Sequence, residues 1–163
     1  MTHTITLSNN TMSYRLSRTQ QLHCDADTAW KFFSSPYNLS RITPQDMKFL
    51  VLTELPDEPI YEGMTIDYKV TPLLGIPMRW RTRITQVDAG KSFTDFQEKG
   101  PYKRWNHFHE FIPNEQGVLI KDTVDYELPM GFLGKIAHTV MVQKKLKHIF
   151  DYRQRVLAQL FNP

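Results

Sequence analysis

A single cysteine, Cys24, excludes an internal disulfide and suits a reducing compartment. The N-terminus, MTHTITLSNN, has no basic region followed by an apolar run, so no secretory signal is read there. No stretch approaches the roughly 18 continuous apolar residues of a membrane span, which argues against membrane insertion. Basic residues are not clustered either. The formal charge is only +3, with acids and bases interspersed, and this excludes a nucleic-acid footprint of the usual kind. The densest basic run, Lys144–His148, reads as a solvated helix face. Internal repeats, low-complexity tracts and linkers are missing as well. Together these absences leave one cytoplasmic domain over residues 11–163, preceded by a polar, frayed segment at residues 1–10.

What is present is a core. The chain has 163 residues, 40% hydrophobic and 12% aromatic, long enough to bury about two thirds of its unfolded surface. Residues 12–22 alternate loosely and predict a first strand. Asp25 precedes a short helix carrying Trp30, Phe32 and Phe33, and Ser35-Pro36 stops it. A second helical turn is expected at Tyr37–Ser40. Strand-like runs follow at Lys48–Leu52, Met64–Val70, Met78–Val87, Ser92–Lys99, through Arg104–Phe111, and at Val118–Leu128, each bounded by turn residues. From Leu133 to Phe161 there is no proline, and Val142, Leu146, Ile149, Phe150, Val156, Leu157 and Leu160 recur at helical spacing. Gly131 and Gly134 stand near the start of this long helix.

The order predicts an α+β fold. A curved antiparallel sheet of about six or seven strands wraps around the C-terminal helix, with one or two short helices after the first strand. A space between sheet and helix suits an apolar ligand.

Alternation fixes which way the strands face. Arg79, Arg81 and Arg83 must point to solvent, because unpaired buried arginines are very costly, and this turns Trp80, Thr82 and Ile84 inward. Along Val118–Leu128 the even positions are apolar, and they carry Asp122 inward with Tyr126. A hairpin centred on Glu115-Gln116 sets His109 opposite Asp122 and Trp105 opposite Tyr126, so Trp105, His107, His109 and Phe111 also face in. The loop at Ala89-Gly90 pairs Ile84 with Asp95 and Thr82 with Gln97. Closing the turn at Gly100-Pro101 then brings Asp95 beside His107 and Gln97 beside Trp105. The expected result is a polar cluster on an apolar concave face, flanked by Trp80 and Trp105, with each histidine given one aspartate: Asp95 for His107 and Asp122 for His109. Arg153, on the apolar side of the helix, is expected to snorkel or to pair with an inward carboxylate.

These features together resemble the START-like superfamily, which includes the polyketide cyclase/dehydrase-like (SRPBCC) proteins, and its helix-grip fold. The residues that carry the likeness are Ile42-Thr43-Pro44, Gly63, Trp80 with Thr82 and Ile84, Phe93 with Asp95 and Gln97, Gly100-Pro101-Tyr102, Trp105 with His107 and His109, Asp122 with Tyr126 and Pro129, and Ile149-Phe150-Asp151-Tyr152-Arg153. The resemblance implies a cavity for a hydrophobic or amphipathic small molecule and fixes no activity.

Two functional readings suit the residues. In the first, a binding or carrier protein orients its ligand with Trp80, Gln97, Trp105, His107, His109, Asp122 and Tyr126. In the second, a cofactor-free cyclase or dehydratase uses His109 with Asp122, or His107 with Asp95, as general base, and Tyr126 or Gln97 as donor. His107-x-His109 with Asp95 or Asp122 also has the residue types of a metal site, but no metal and no cofactor is assigned. Such His-Asp pairs equally serve only to satisfy one another in a core.

Overall fold

The computed structural model describes residues 4–7, 13–55, 57–72, 75–129 and 135–162. In chain order these form β1 (Thr4–Leu7), β2 (Ser13–Leu22), α1 (Ala26–Phe33), 3₁₀ turns at Pro36–Leu39 and Gln45–Met47, and β3 (Leu50–Val51). Then come β4 (Thr65–Val70), β5 (Met78–Asp88), β6 (Ser92–Lys99), β7 (Arg104–Asn114), β8 (Gly117–Glu127) and α2 (Lys135–Phe161). Among the described residues the eight strands form one antiparallel sheet in the order β1-β2-β8-β7-β6-β5-β4-β3. Six strands are long, and β1 and β3 are short edges. No described helix is long and apolar enough to cross a membrane.

Each element forms where local chemistry directs it. Asp25 caps α1 by accepting from the Thr28 amide at 2.7 Å, and Ser34 ends the helix before Pro36 opens the first 3₁₀ turn. Lys48 takes a left-handed conformation (φ 44°) to close the second, so the expected strand at Lys48–Leu52 shrinks to two residues. Thr4–Leu7, inside the segment expected to fray, pairs along β2. Gly131 and Gly134 lie outside the described residues.

The turns set the register. At the β7–β8 hairpin Glu115 and Gln116 form the loop and Asn114 pairs with Gly117. Gly117 has φ +122°, and a Cβ there would collide with the backbone carbonyls of Leu22 and Cys24. Only glycine suits this position. Gly117→Ala is expected to lose about 1–3 kcal/mol from backbone strain alone, before the clash is counted. Thermal unfolding checks this, and an unchanged Tm would show that the turn relaxes freely.

The solvent face of β5 is as its arginines require. Arg81 donates twice to Asp67, at 2.9 and 2.8 Å, and Arg83 reaches Glu98 at 3.1 Å. Register shifts between Arg81 and Thr82 and between Ile84 and Gln86 interrupt the β5–β6 ladder, as β-bulges that bend and twist a strand do. Across its concave side lies α2, whose Val142, Leu146, Phe150, Arg153 and Leu157 are buried at spacings of four, four, three and four. Arg18 on β2 pairs with Asp151, and Gln20 donates to the Gln154 carbonyl at 2.9 Å, tying helix to sheet.

The core has two halves. One gathers Trp30, Phe93, Phe111, Ile120 and Leu157 beneath α1, and the other gathers Tyr14, Trp105, Tyr126, Leu146 and Phe150 beneath α2. Trp80 packs against both.

Candidate functional site

Sheet and helix do not meet everywhere. Between them is a cavity of about 180 Å³, walled mostly by apolar side chains from α1, the segment between the 3₁₀ turns, β4, β5 and α2, among them Phe33, Ile42, Tyr68, Ile84, Leu146 and Phe150. Trp80, Trp105 and Tyr102 form one aromatic wall: Trp80 meets Trp105 edge-on at 5.4 Å, and Tyr102 lies 4.8 Å from Trp105. A second wall is polar, made of Asp95, His107, His109 and Arg153.

Most of the register expected across the hairpins is observed; the expected Gln97–Trp105 neighbours are not among the β6–β7 pairs, which end at Phe96–Asn106. Trp105 stands opposite Tyr126, His107 opposite Val124, His109 opposite Asp122, Asp95 opposite His107, and Thr82 opposite Gln97. Trp105, His107, His109, Phe111, Asp122 and Tyr126 are all buried.

The hydrogen bonds, however, run diagonally rather than straight across. His107 Nε2 bonds Asp122 Oδ1 at 2.9 Å, and His109 Nε2 bonds Asp95 Oδ2 at 3.0 Å. The straight contacts are also close: His107 Nδ1 lies 3.4 Å from Asp95 Oδ2, and His109 Nδ1 lies 2.7 Å from Asp122 Oδ1, though neither is aligned as a hydrogen bond. The expected one-to-one pairing is therefore corrected to a closed ring of four, in which each histidine faces both aspartates. Side chains on a twisted sheet lean along their strands, so long polar groups reach the diagonal neighbour as readily as the direct one. The two imidazoles lie 3.8 Å apart, and His109 stacks on Phe93 at 4.1 Å.

Arg153 completes the charges. Its Nη1 is 3.8 Å from Asp122 Oδ1 and its guanidinium lies over the Phe150 ring at 5.2 Å. Of the two expectations for this residue, the inward carboxylate is the one realised. Its Nε and Nη1 are buried without hydrogen-bond partners.

Burial on its own would raise the Asp122 carboxyl, but the bonds and charges of His107 and His109 outweigh it and hold that group well below the usual carboxylate range. Asp95 is lowered in the same way: burial opposes, and His107, His109 and Arg153 prevail. For His109 burial is again outweighed, and Asp122 and Asp95 raise it. His107 goes down, because burial and the neighbouring His109 together exceed the pull of the aspartates. A proton is thus favoured on His109 and disfavoured on His107, and the carboxylates of Asp95 and Asp122 are matched by these partners and by Arg153, the condition under which ionised groups survive in a core.

Not every expected site residue faces the cavity. Gln97 is buried, but it donates to the Tyr102 carbonyl at 2.8 Å and accepts from the Tyr102 amide at 3.3 Å, so it staples the Gly100–Lys103 turn. Gly100 lies so close above it that a Cβ would collide with the Gln97 amide. Tyr126 is outside the cavity lining, stacked on Tyr14 at 5.3 Å, with its hydroxyl buried and unbonded. Asp122 lies behind the histidines, on a small crevice against β2 and α2 rather than on the main cavity. Trp80, Trp105, His107, His109 and Asp95 do line it. Sequence reasoning passed over Tyr102, Tyr68, Phe33 and Ile42 as lining residues. The turn motif Gly100-Pro101-Tyr102 was the one available signal for the first, and the others look like ordinary core residues.

By sequence, no family model and no curated protein matches the chain. By structure, it resembles a START superfamily protein from Mycobacterium smegmatis (TM-score 0.65, 14% identity), covering 90% of this chain and 98% of that one. It also resembles the major latex-like protein 151 of Panax ginseng (TM-score 0.63, 16% identity), covering 93% and 99%. A protein from Arthrobacter aurescens is similar over 96% and 91%, with a TM-score of 0.66 and 15% identity. The chain therefore has the helix-grip fold of the START-like superfamily. Within that fold this chain holds a buried ring of two histidines and two aspartates, three of whose members line the cavity.

Proposed function

We propose that the protein binds a small hydrophobic or amphipathic molecule in the cavity between sheet and α2, as a carrier or receptor in the cytoplasm. The observation that carries this reading is the cavity's asymmetry: apolar and aromatic walls around one polar wall, which would seat a ring or short chain and fix its oxygen atoms against His107, His109, Asp95 and Arg153. At about 180 Å³ the space is close to the roughly 150 Å³ of an engineered cavity that holds benzene, and smaller than the roughly 300–1,000 Å³ of drug-sized sites. Compact ligands such as phenols and aryl carboxylic acids fit this volume. The binding reading is favoured over a cyclase or dehydratase because all four imidazole nitrogens of the pair face a carboxylate, so none stands clear as a general base.

Trp80 and Trp105 line the cavity, and their fluorescence reports its occupancy. Titration with substituted phenols and aryl carboxylic acids is expected to change that emission saturably. Leu146→Phe, which narrows the cavity, should weaken the same ligands about tenfold or more. Absence of a saturable response from any compound, together with no small molecule co-purifying in native mass spectrometry, would overturn the reading.

A further inference from the structure

The histidine–aspartate ring has a front and a back. At the back, Asp122 Oδ1 hydrogen-bonds His107 Nε2 at 2.9 Å and lies 2.7 Å from His109 Nδ1. At the front, on the cavity, His107 Nδ1, His109 Nε2 and Asp95 Oδ2 converge, all within 4.8 Å of one another. In the ion-free ring His109 Nε2 donates to Asp95 Oδ2; with that proton displaced and the back nitrogens protonated toward Asp122, the front would present two imidazole lone pairs and a carboxylate oxygen. Those three acceptors need a cation between them, a place that the His109 proton holds in the ion-free ring and that a metal ion could take.

From this geometry we infer a binding site for a first-row divalent transition-metal ion, with zinc(II) as its reference occupant, on His107 Nδ1, His109 Nε2 and Asp95 Oδ2. Two edges of the triangle suit zinc as they stand, and the third, between the imidazole nitrogens, is within 4.8 Å. Ligand atoms about 2.0–2.2 Å from a tetrahedral zinc stand roughly 3.3 Å apart, and the two edges meeting at Asp95 Oδ2 are 3.0 and 3.4 Å. Two imidazoles and one carboxylate are also a ligand set of open zinc sites, which keep a fourth position for water or ligand. Here the three residues line the cavity, so a fourth position would be filled from it. Asp122 supplies what such sites require behind the ligands. A carboxylate on the far nitrogen of each histidine fixes tautomer and ring orientation and makes the near nitrogen a better donor.

The inference is independent of the carrier reading: an ion binds here whether or not an organic ligand follows. Were both true, the ion would take a ligand oxygen directly.

The test uses full-length protein made without a histidine tag, stripped with a chelator and dialysed. Titration with zinc(II), followed by calorimetry, is expected to saturate at one ion per chain. Cobalt(II) should give visible d–d bands of a four- or five-coordinate site and quench Trp105, whose ring centroid is 6.2 Å from that of His107. His107→Gln and Asp95→Asn should each weaken zinc at least 100-fold. Circular dichroism is run beside them, and Asp95→Asn is the safer variant because its side chain is 18% exposed. His148→Ala, which removes an exposed His–Asp46 pair on the outer surface, should leave affinity unchanged. No saturable binding, or binding that survives both front substitutions in folded protein, would overturn the site, and loss on His148→Ala would place the ion elsewhere.

Discussion

Asp122→Ala is expected to lower stability by about 3–5 kcal/mol, the usual cost of removing one partner from a buried ion pair. For a chain of this length that corresponds to a fall in Tm of about 6–20 °C. The size follows from what is left behind. Asp122 is 6% exposed and meets His107, His109 and Arg153, so its loss strands two imidazoles and a guanidinium that already lacks hydrogen bonds at two nitrogens. Asp122→Asn keeps the shape and one acceptor, and should cost less than alanine while still leaving Arg153 uncompensated. Thermal and urea unfolding of the two variants measure the difference. A loss below about 1 kcal/mol for alanine would mean that water enters freely behind the histidines, and that the ring is not dry.

The contrast with wholesale replacement bears on function. Exchanging a complete buried ionic network for apolar residues of similar size is often neutral or stabilising, whereas cutting one member is costly. Replacing His107, His109, Asp95 and Asp122 together by leucine or methionine is therefore expected to restore much of the stability lost in Asp122→Ala. If that restoration is found, stability alone explains the network poorly, which would support the proposed role of the polar wall in recognition.

Much of this wall was legible in residue order. The two-residue loop at Glu115-Gln116 leaves β7 and β8 no other register, and one parity argument then places Trp105, His107, His109, Phe111, Asp122 and Tyr126 on one face. What parity does not carry is direction within a face. It names the residue opposite, not the residue reached, and so the diagonal bonds of His107 to Asp122 and His109 to Asp95 were hidden. Gln97 shows the same limit. Its backbone position was read well, but its side chain turns back to the Tyr102 backbone because the tight turn after Lys99 exposes an amide and a carbonyl within its reach. The far wall of the cavity depends on how α1 and the 3₁₀ turns fold over the sheet, and contacts of that kind leave no periodic trace. The short edge strand β1 is equally faint, since four residues hold too little alternation to read, whereas β3 falls inside the strand expected at Lys48–Leu52 but is cut to two residues.

Phe111→Ala is expected to cost about 3–5 kcal/mol, the usual range for deleting a buried phenylalanine. The ring is 3% exposed and is gripped on several sides: edge-on by Trp30 at 5.5 Å and by Phe33 at 5.4 Å, and in parallel offset by Phe93 at 6.1 Å. Trp30 and Phe33 come from α1, so this cluster holds the helix on the sheet. Phe93 in turn stacks on His109 at 4.1 Å, which places the same cluster one ring away from the polar wall. Two readouts follow. Denaturant unfolding should show the full loss for alanine and less than about 1.5 kcal/mol for Phe111→Leu, which retains most of the volume. Because Phe33 and Phe93 also line the cavity, their relaxation into the vacated space should enlarge it. Phe111→Ala is then expected to bind two-ring compounds such as naphthols more tightly than the parent does, while single-ring phenols weaken. A large stability loss with an unchanged ligand preference would show that α1 is held here but that the cavity wall is set elsewhere, by β4 and β5.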